Sequence, residues 1–65
     1  MKYEEQLLRR KEVEQLTSLS RTSIYRLMAR NDFPQKIELA PKIVVWRKSE
    51  VLNWINEKVS LAAAT

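Results

Sequence analysis

The sequence predicts a small α+β domain, mostly helical, in which two short helices are followed by a two-stranded hairpin and a closing helix. Apolar residues recur at intervals of three and four over residues 11–30 and again over residues 49–59, the spacing of helices that bury one face. Between these stretches the pattern alternates, and β-branched and aromatic residues gather on either side of Ala40-Pro41-Lys42. A chain of 65 residues has room for one such domain.

The first helix is expected to begin at Arg10-Lys11, after a short extended segment. Leu7-Leu8-Arg9 is too short to assign alone but suits a brief extended segment with Leu8 turned inward. Val13 and Leu16 are three residues apart, so they share the buried face of the helix. Thr17-Ser18 interrupts the pattern and predicts a tight turn.

The second helix is expected over residues 21–30, with Ser20 as its cap, because a serine hydroxyl can accept a free backbone N–H of the first turn. Its apolar stripe is formed by residues at i, i+3 and i+4, namely Ile24, Leu27 and Met28. The opposite face is short, polar and cationic, and the helix contains no carboxylate. Such a face can hold phosphates and reach base edges in a DNA major groove. The two helices therefore predict a helix-turn-helix with residues 21–30 as recognition helix.

The segment after the recognition helix ends it and turns the chain back. Asn31-Asp32 tolerates the left-handed conformation that often ends helices, and Pro34 prevents the helix from resuming. Phe33 is held extended by the following proline and is expected to fill the base of the core.

A hairpin follows, and beside a helix-turn-helix it is a wing with its tip at residues 40–43. If the first strand turns Ile37 and Leu39 toward the helices, the second strand turns Val44 and Trp46 inward. Ile43 and Val45 are then left outside. A two-stranded hairpin is marginal alone, so we expect it to pack on the helices.

The last helix starts at Lys48 or Ser49 and closes the core with one face, formed by Val51, Trp54 and Ile55. Residues 61–65 contain three alanines and either prolong this helix or fray; we assign them to a frayed tail. The winged domain then spans residues 7–60. Residues 1–6 are polar and without period, so we expect a flexible N-terminus.

Composition argues against an enzyme. His and Cys are both absent, which removes the commonest general base, nucleophile and transition-metal ligands, so we expect no catalysis, metal or other cofactor. The formal net charge of +4 favours nucleic acid or an anionic membrane surface as partner. No apolar run approaches the roughly 20 residues of a membrane span, and the N-terminus lacks a signal-peptide core. We therefore expect a cytoplasmic, nucleoid-associated bacterial protein with no membrane partner.

With these elements in place, the chain resembles the AlpA-type prophage regulators, small winged-helix proteins whose DNA-binding domain is MerR-like and related to phage excisionases. The resemblance runs from about residue 7 to residue 59 and is carried by an ordered set of short motifs: Leu8-Arg9, Lys11-Glu12-Val13, Leu16-Thr17, Leu19-Ser20-Arg21, Ser23-Ile24-Tyr25-Arg26, Phe33-Pro34, Leu39, Val44, Trp46-Arg47, Glu50-Val51 and Trp54-Ile55. It implies sequence-specific DNA binding by a transcriptional regulator of a phage or mobile element, sometimes of an excision function.

The chain departs from the usual AlpA pattern at three turns because it contains no glycine. The usual glycines are replaced by Ser18, by Asn31-Asp32 and by the wing tip Ala40-Pro41-Lys42. The resemblance implies a positive φ or an unhindered turn at these sites. We therefore expect Ser18 to carry strain of roughly 1 kcal/mol and Pro41 to stiffen the wing.

The predicted DNA contacts come from the polar face of the second helix, from the resemblance and from nearby charges: Arg21, Thr22, Ser23, Tyr25, Arg26, Arg30, Lys11, Lys42 and Arg47. Thr22, Ser23 and Arg26 are the candidate base readers, and Arg21 and Arg30 the candidate phosphate contacts. Tyr25 either donates to a phosphate or packs beside Met28. Lys11, with Arg9 and Arg10, is either a backbone clamp or an ordinary charged face, and Lys42 has the same two interpretations. Arg47, at the base of the wing, is implied by the resemblance.

The leading hypothesis is a DNA-binding transcriptional regulator whose partner is double-stranded DNA. One short recognition helix buries little surface, so we expect a homodimer or cooperative oligomer on DNA. An excisionase-like factor that bends DNA for a recombinase uses the same scaffold, so an integrase is a possible partner alongside RNA polymerase. A protein-interaction module that binds an acidic partner is a further alternative, favoured by apolar residues exposed on the wing.

Overall fold

The computed structural model describes residues 5–64 and shows helices packed on one small antiparallel sheet. The elements in chain order are β1 (Leu7–Leu8), α1 (Arg10–Thr17), α2 (Arg21–Ala29), β2 (Ile37–Ala40), β3 (Ile43–Arg47) and α3 (Lys48–Ala64). Helices α1 and α2 form the expected helix-turn-helix, and β2 and β3 form the expected wing. The mostly helical α+β fold, a winged helix-turn-helix, is confirmed.

The turn between α1 and α2 is fixed by hydrogen bonds from short polar side chains. The Thr17 hydroxyl donates to the Val13 carbonyl oxygen at 2.8 Å and accepts the Leu19 N–H at 3.2 Å. Ser20 caps α2 as predicted, because its Oγ accepts the Ser23 N–H at 3.2 Å. These bonds pair backbone groups that a helix end otherwise leaves unsatisfied.

Within residues 5–64, three residues adopt the left-handed backbone conformation although none is glycine: Ser18 at φ 61°, Asn31 at φ 61° and Lys42 at φ 67°. They lie at the three turns where the sequence lacks the usual glycines, so the expected need for a positive φ is confirmed. At the first of these turns the Ser18 N–H donates to the Glu14 carbonyl oxygen at 2.8 Å and ends α1. Asparagine tolerates this region better than serine or lysine, so the strain is concentrated at Ser18 and Lys42.

The core lies between the helices and one face of the sheet. Its buried members come from every helix, from two strands and from the segment between α2 and β2: Leu8, Val13, Ile24, Met28, Phe33, Trp46 and Val51. The Trp46 indole N–H donates to the Pro34 carbonyl oxygen at 3.1 Å, so its one polar atom is satisfied. The Phe33 ring meets Trp54 edge to face, with centroids 4.9 Å apart. The predicted core roles of Leu8, Phe33 and Trp46 are confirmed.

Leu16 is an exception to the predicted core. Its side chain is 41% exposed, whereas Val13 is fully buried. The half-buried residues of α1 are Arg10, Glu14 and Thr17, which lie on the other flank of Val13. The buried stripe of α1 is therefore centred away from Leu16, and the prediction that Leu16 shares the buried face with Val13 was wrong.

The sheet has three strands rather than the predicted two, in the order β1-β3-β2. Leu8 is opposite Trp46 and Leu7 is opposite Arg47, while Ile37 is opposite Val45. Directly opposed residues in an antiparallel pair share a face. Val44 and Trp46 therefore face the helices, as predicted, but Ile37 lies with Val45 on the opposite face.

The expectation that Ile37 and Leu39 face the helices was accordingly wrong. The register is set by the turn at Pro41-Lys42 and by an irregularity between Glu38 and Ala40. Val45 is on the outer side, as predicted, yet only 3% exposed, because β1 and β2 cover it from both sides. We call the side chains on this side of the sheet the outer sheet face: Leu7, Ile37, Leu39, Ile43, Val45 and Arg47.

The N-terminus of α3 is capped by the segment that precedes β1. The Ser49 N–H donates to Glu5 Oε1 at 2.9 Å, and the Ser49 hydroxyl donates to the same oxygen. These hydrogen bonds from Ser49 lower the pKa of Glu5 below its ordinary value, with Arg47 assisting through its charge. The Lys48 N–H donates to the Gln6 carbonyl oxygen at 2.9 Å.

The two ends of the chain bear on the predicted domain limits. Residues 1–4 of the expected flexible N-terminus, and Thr65, lie outside the described residues. Helix α3 continues through Ala64, so of the two alternatives for the end of the chain the structure has the prolonged helix over residues 61–64. Alanine is the strongest helix former, which accounts for the continuation past Leu61.

Candidate nucleic-acid interface

The outward face of α2 is made of small and cationic side chains. Thr22, Arg26 and Ala29 are exposed on the side opposite the buried Ile24 and Met28. No ion pair joins an arginine of this helix to a carboxylate among residues 5–64. The charge of this face is therefore left to attract an anion, and the side chains beside the guanidinium of Arg26 are small enough to admit a close approach.

Arg21 and Arg30 lie at opposite ends of α2 and, being nine residues apart, project from opposite flanks of its outward face; both are exposed. Their separation along the helix is about 13 Å at a rise of roughly 1.5 Å per residue. That length is close to the roughly 12 Å width of a DNA major groove. The two guanidiniums can therefore reach the phosphates on either side of a groove that the helix enters.

Tyr25 links the recognition helix to the wing. Its half-buried ring packs edge to face against Trp46, with centroids 6.4 Å apart. Two cations lie over the same ring, Arg21 at 5.8 Å and Lys36 at 5.4 Å from its centroid. The ring is thus a fixed platform that keeps two positive charges beside the outward face of α2.

Ser23 has a structural role as well as a candidate contact. Its N–H donates to Ser20 Oγ, and its own hydroxyl oxygen accepts from the Ser20 hydroxyl at 3.1 Å. Ser23 is half-buried, whereas Thr22 beside it is exposed. Thr22 is therefore the more accessible of these two side chains.

A cleft of about 510 Å³ opens between the start of α1 and the wing. Its floor is apolar and aromatic, and its rim is basic; the lining residues are Arg9, Arg10, Lys11, Tyr25, Lys42, Val44 and Trp46. We call this the basic cleft. Among its cations, only Arg10 has a carboxylate partner within residues 5–64, with Nε 3.0 Å from Glu14 Oε2. The cleft contains no carboxylate in its lining and is suited to an anionic group such as a backbone phosphate.

The structure brings together most, but not all, of the predicted contact residues. Lys11, Tyr25 and Lys42 meet in the basic cleft, which adjoins the outward face of α2 through Tyr25. Arg47 does not join them, because it lies opposite Leu7 on the outer sheet face. The hollow that Arg47 lines is shared with Leu7, Ile37 and Leu39.

Sequence reasoning overlooked Lys36 and left Arg9 and Arg10 undecided. Lys36 precedes β2 in a segment without regular structure, and only the folded chain places it over Tyr25. The run Arg9-Arg10-Lys11 was a visible signal, but its position opposite Lys42 depends on how the wing packs. That packing depends on contacts between distant parts of the chain, which a local sequence pattern does not report.

Within residues 5–64 there is no group of three or more His, Cys, Asp or Glu side chains that could hold a metal ion. No helix in the same range is long and apolar enough to cross a membrane.

A model of the family described as prophage CP4-57 regulatory protein (AlpA) matches residues 6–59. The chain belongs to the AlpA family of prophage regulatory proteins. The matched range contains β1, the helix-turn-helix, the wing and most of α3, so AlpA membership covers every element of the interface. The resemblance carried by the short motifs is confirmed.

A relative from Enterobacteria phage P4, the uncharacterized protein ORF88, is 39% identical over 57 residues. The aligned part makes up 88% of this chain and 65% of the phage protein. The chain thus spans just under two thirds of the length of this relative. The similarity supports the phage context of the AlpA family.

Proposed function

We propose that this AlpA-family chain is a sequence-specific DNA-binding transcriptional regulator of a phage or mobile element. The observation that carries the proposal is the outward face of α2, which has exposed arginines without carboxylate partners and adjoins the basic cleft. Membership in a family of prophage regulatory proteins supports it independently.

In this proposal the recognition helix lies in the major groove and reads base edges. Arg26 is the principal reader because its exposed guanidinium stands mid-helix, where it can donate two hydrogen bonds to a guanine edge. Thr22, one turn before it, offers a hydroxyl and a methyl group to the adjacent base. Ser23 contributes less, since its hydroxyl oxygen already accepts a hydrogen bond from Ser20.

Phosphate contacts fix the register of the helix on the duplex. Arg21 and Arg30 hold the two sides of the groove, while the basic cleft takes a phosphate between Lys11 and Lys42. The ring of Tyr25 is positioned by Trp46 where the outward face of α2 meets the basic cleft. Its hydroxyl donates a hydrogen bond to a DNA phosphate there. These contacts supply affinity without sequence information.

The test separates base reading from phosphate binding. A duplex is first selected from a randomised pool with the parent protein, and affinities for it and for a random duplex are then measured by fluorescence anisotropy. Arg26→Ala should lose much of the preference for the selected duplex, by roughly 1–3 kcal/mol. Lys42→Ala should weaken binding to both duplexes by a similar factor and keep the preference.

Lys58→Ala is the matched control, because it also removes one positive charge but stands over Trp54 on α3, away from the basic cleft. It should bind both duplexes nearly as the parent does. If Arg26→Ala retains the parent's preference, α2 is not the base-reading element. If the parent shifts no duplex at low salt, the DNA-binding proposal itself is wrong and a protein-interaction module becomes the better hypothesis.

A further inference from the structure

The outer sheet face is an apolar surface in a protein that is otherwise highly charged. Leu39 is 56% exposed and Ile43 is 38% exposed, although both lie in strands. Together with Leu7, Ile37 and Arg47 the side chain of Leu39 borders a hollow of about 300 Å³. Contiguous exposed apolar side chains, unlike scattered ones, gain free energy together when a second apolar surface covers them.

This surface lies on the opposite side of the sheet from the basic cleft. Val44 and Trp46 line the cleft, whereas Ile43, Val45 and Arg47 alternate with them and point the other way. A duplex bound along α2 and the basic cleft therefore leaves the outer sheet face uncovered. We propose that this face is the contact surface for a second copy of the chain bound to the same duplex; the inference rests on the proposed function.

The size of the face decides between a permanent dimer and a contact made on DNA. Strands of two, four and five residues, spaced about 4.8 Å apart and rising about 3.3 Å per residue, give an area on the order of 170 Å². A stable complex buries about 800 Å² on each partner. The face is too small to hold two free copies together, but it suffices to add affinity when a duplex already holds both nearby.

The chemistry of the face selects a second copy as the occupant. Its only charged side chain is Arg47, so it offers an acidic or basic partner little to recognise. A two-fold axis that passes through this face near Leu39 would bring the apolar side chains of one copy, Leu39 and Ile43, against those of the other. On an occupied duplex, another copy is also the protein at the highest local concentration.

The absence of cysteine from the chain permits a direct test by disulfide trapping. Leu39→Cys places one thiol on the outer sheet face. Leu61→Cys is the matched control, because Leu61 is 58% exposed, nearly as much as Leu39, but lies far along α3. Each variant is oxidised with and without a 60-base-pair random-sequence duplex at low salt, and disulfide-linked dimer is followed on a non-reducing gel.

The duplex should accelerate dimer formation by Leu39→Cys on the order of tenfold more than by Leu61→Cys, since only the first thiol meets its counterpart. A gel shift of the same samples reports DNA binding. If the variants shift the duplex but cross-link at equal rates, or not at all, the inference is overturned while the proposed function stands. If neither they nor the parent shift the duplex, both fail. Rapid cross-linking of Leu39→Cys without duplex would overturn the DNA-dependence and indicate a free dimer.

Discussion

Replacing Ser18 by glycine should stabilise the domain, contrary to the usual effect of a glycine substitution. Ser18 ends α1 at φ 61°, a conformation that costs a residue with a Cβ atom roughly 1–2 kcal/mol. Glycine avoids that cost but loses about 0.5–1 kcal/mol through the greater freedom of the unfolded chain. The Ser18 N–H that ends α1 is kept in the variant, so the net gain should be about 0.5–1 kcal/mol.

In a domain of this size, 1 kcal/mol corresponds to roughly 4–8 °C in Tm, so Ser18→Gly should raise the Tm by about 2–8 °C. The assay is thermal and urea unfolding followed by circular dichroism at the helical band. Ser60→Gly is the control with the same chemical change at an exposed site within α3, where glycine should destabilise by roughly 0.5 kcal/mol. If both variants are destabilised alike, the left-handed turn at Ser18 is not strained.

Further expectations concern the caps and the mode of DNA binding. Ser20→Ala should destabilise by about 1 kcal/mol, because it removes the acceptor of the Ser23 N–H; an unchanged urea midpoint would show that the cap contributes nothing. Glu5→Gln should reduce the free energy of unfolding at neutral pH. Because the pKa of Glu5 is lowered in the folded state, the ionised carboxylate stabilises the fold fully above the ordinary glutamate range. This stabilisation is lost as the pH falls through the lowered pKa. The difference between parent and variant in urea unfolding should therefore shrink on acidification, and a difference independent of pH would contradict this assignment. In a circular-permutation gel-shift assay a regulator that reads straight DNA should give equal mobilities at all positions, whereas position-dependent mobilities would favour the excisionase-like alternative.

The helical half of the fold was predictable because its signals are local. The spacing of Ile24, Leu27 and Met28 and the cap at Ser20 each report on a few neighbouring residues, and the structure has them as expected. The missing glycines also marked the three left-handed turns correctly. At these turns the residue that adopts the left-handed conformation belongs to the same short segment that gives the sequence signal.

The sheet was less predictable because its register depends on residues far apart in the chain. Leu7–Leu8 is too short to predict a strand from sequence. Its pairing with β3 nevertheless makes β3 the central strand and covers Val45. The apolar character of Ile37 and Leu39 suggested burial against the helices, but the wing's turn and its irregularity place them on the outer sheet face. An apolar strand residue can thus signal a contact surface rather than the core.

The candidate interface has one part that local sequence signals predict and one part that depends on residues far apart in the chain. The outward face of α2 followed from helical periodicity alone, and the exposure of Thr22 and Arg26 agrees with it. The basic cleft could not be derived in that way, because it joins Arg9, Lys11 and Lys42 only when the wing packs against the start of α1. Arg47 is a second example. It follows Trp46 directly in β3, so the two side chains point to opposite faces of the sheet and Arg47 lies outside the basic cleft.

The salt dependence of duplex binding tests most directly whether the unpaired cations of α2 and the basic cleft face DNA. Five cations placed on the DNA backbone would displace about five condensed counterions, so a plot of log affinity against log salt concentration should have a slope of roughly −4 to −5; they are Arg9, Lys11, Arg21, Arg30 and Lys42. The slope should decrease in magnitude by about one for Lys42→Ala and stay unchanged for Lys58→Ala. A slope near zero for the parent, or equal losses in the two variants, would contradict the placement of the duplex along this surface.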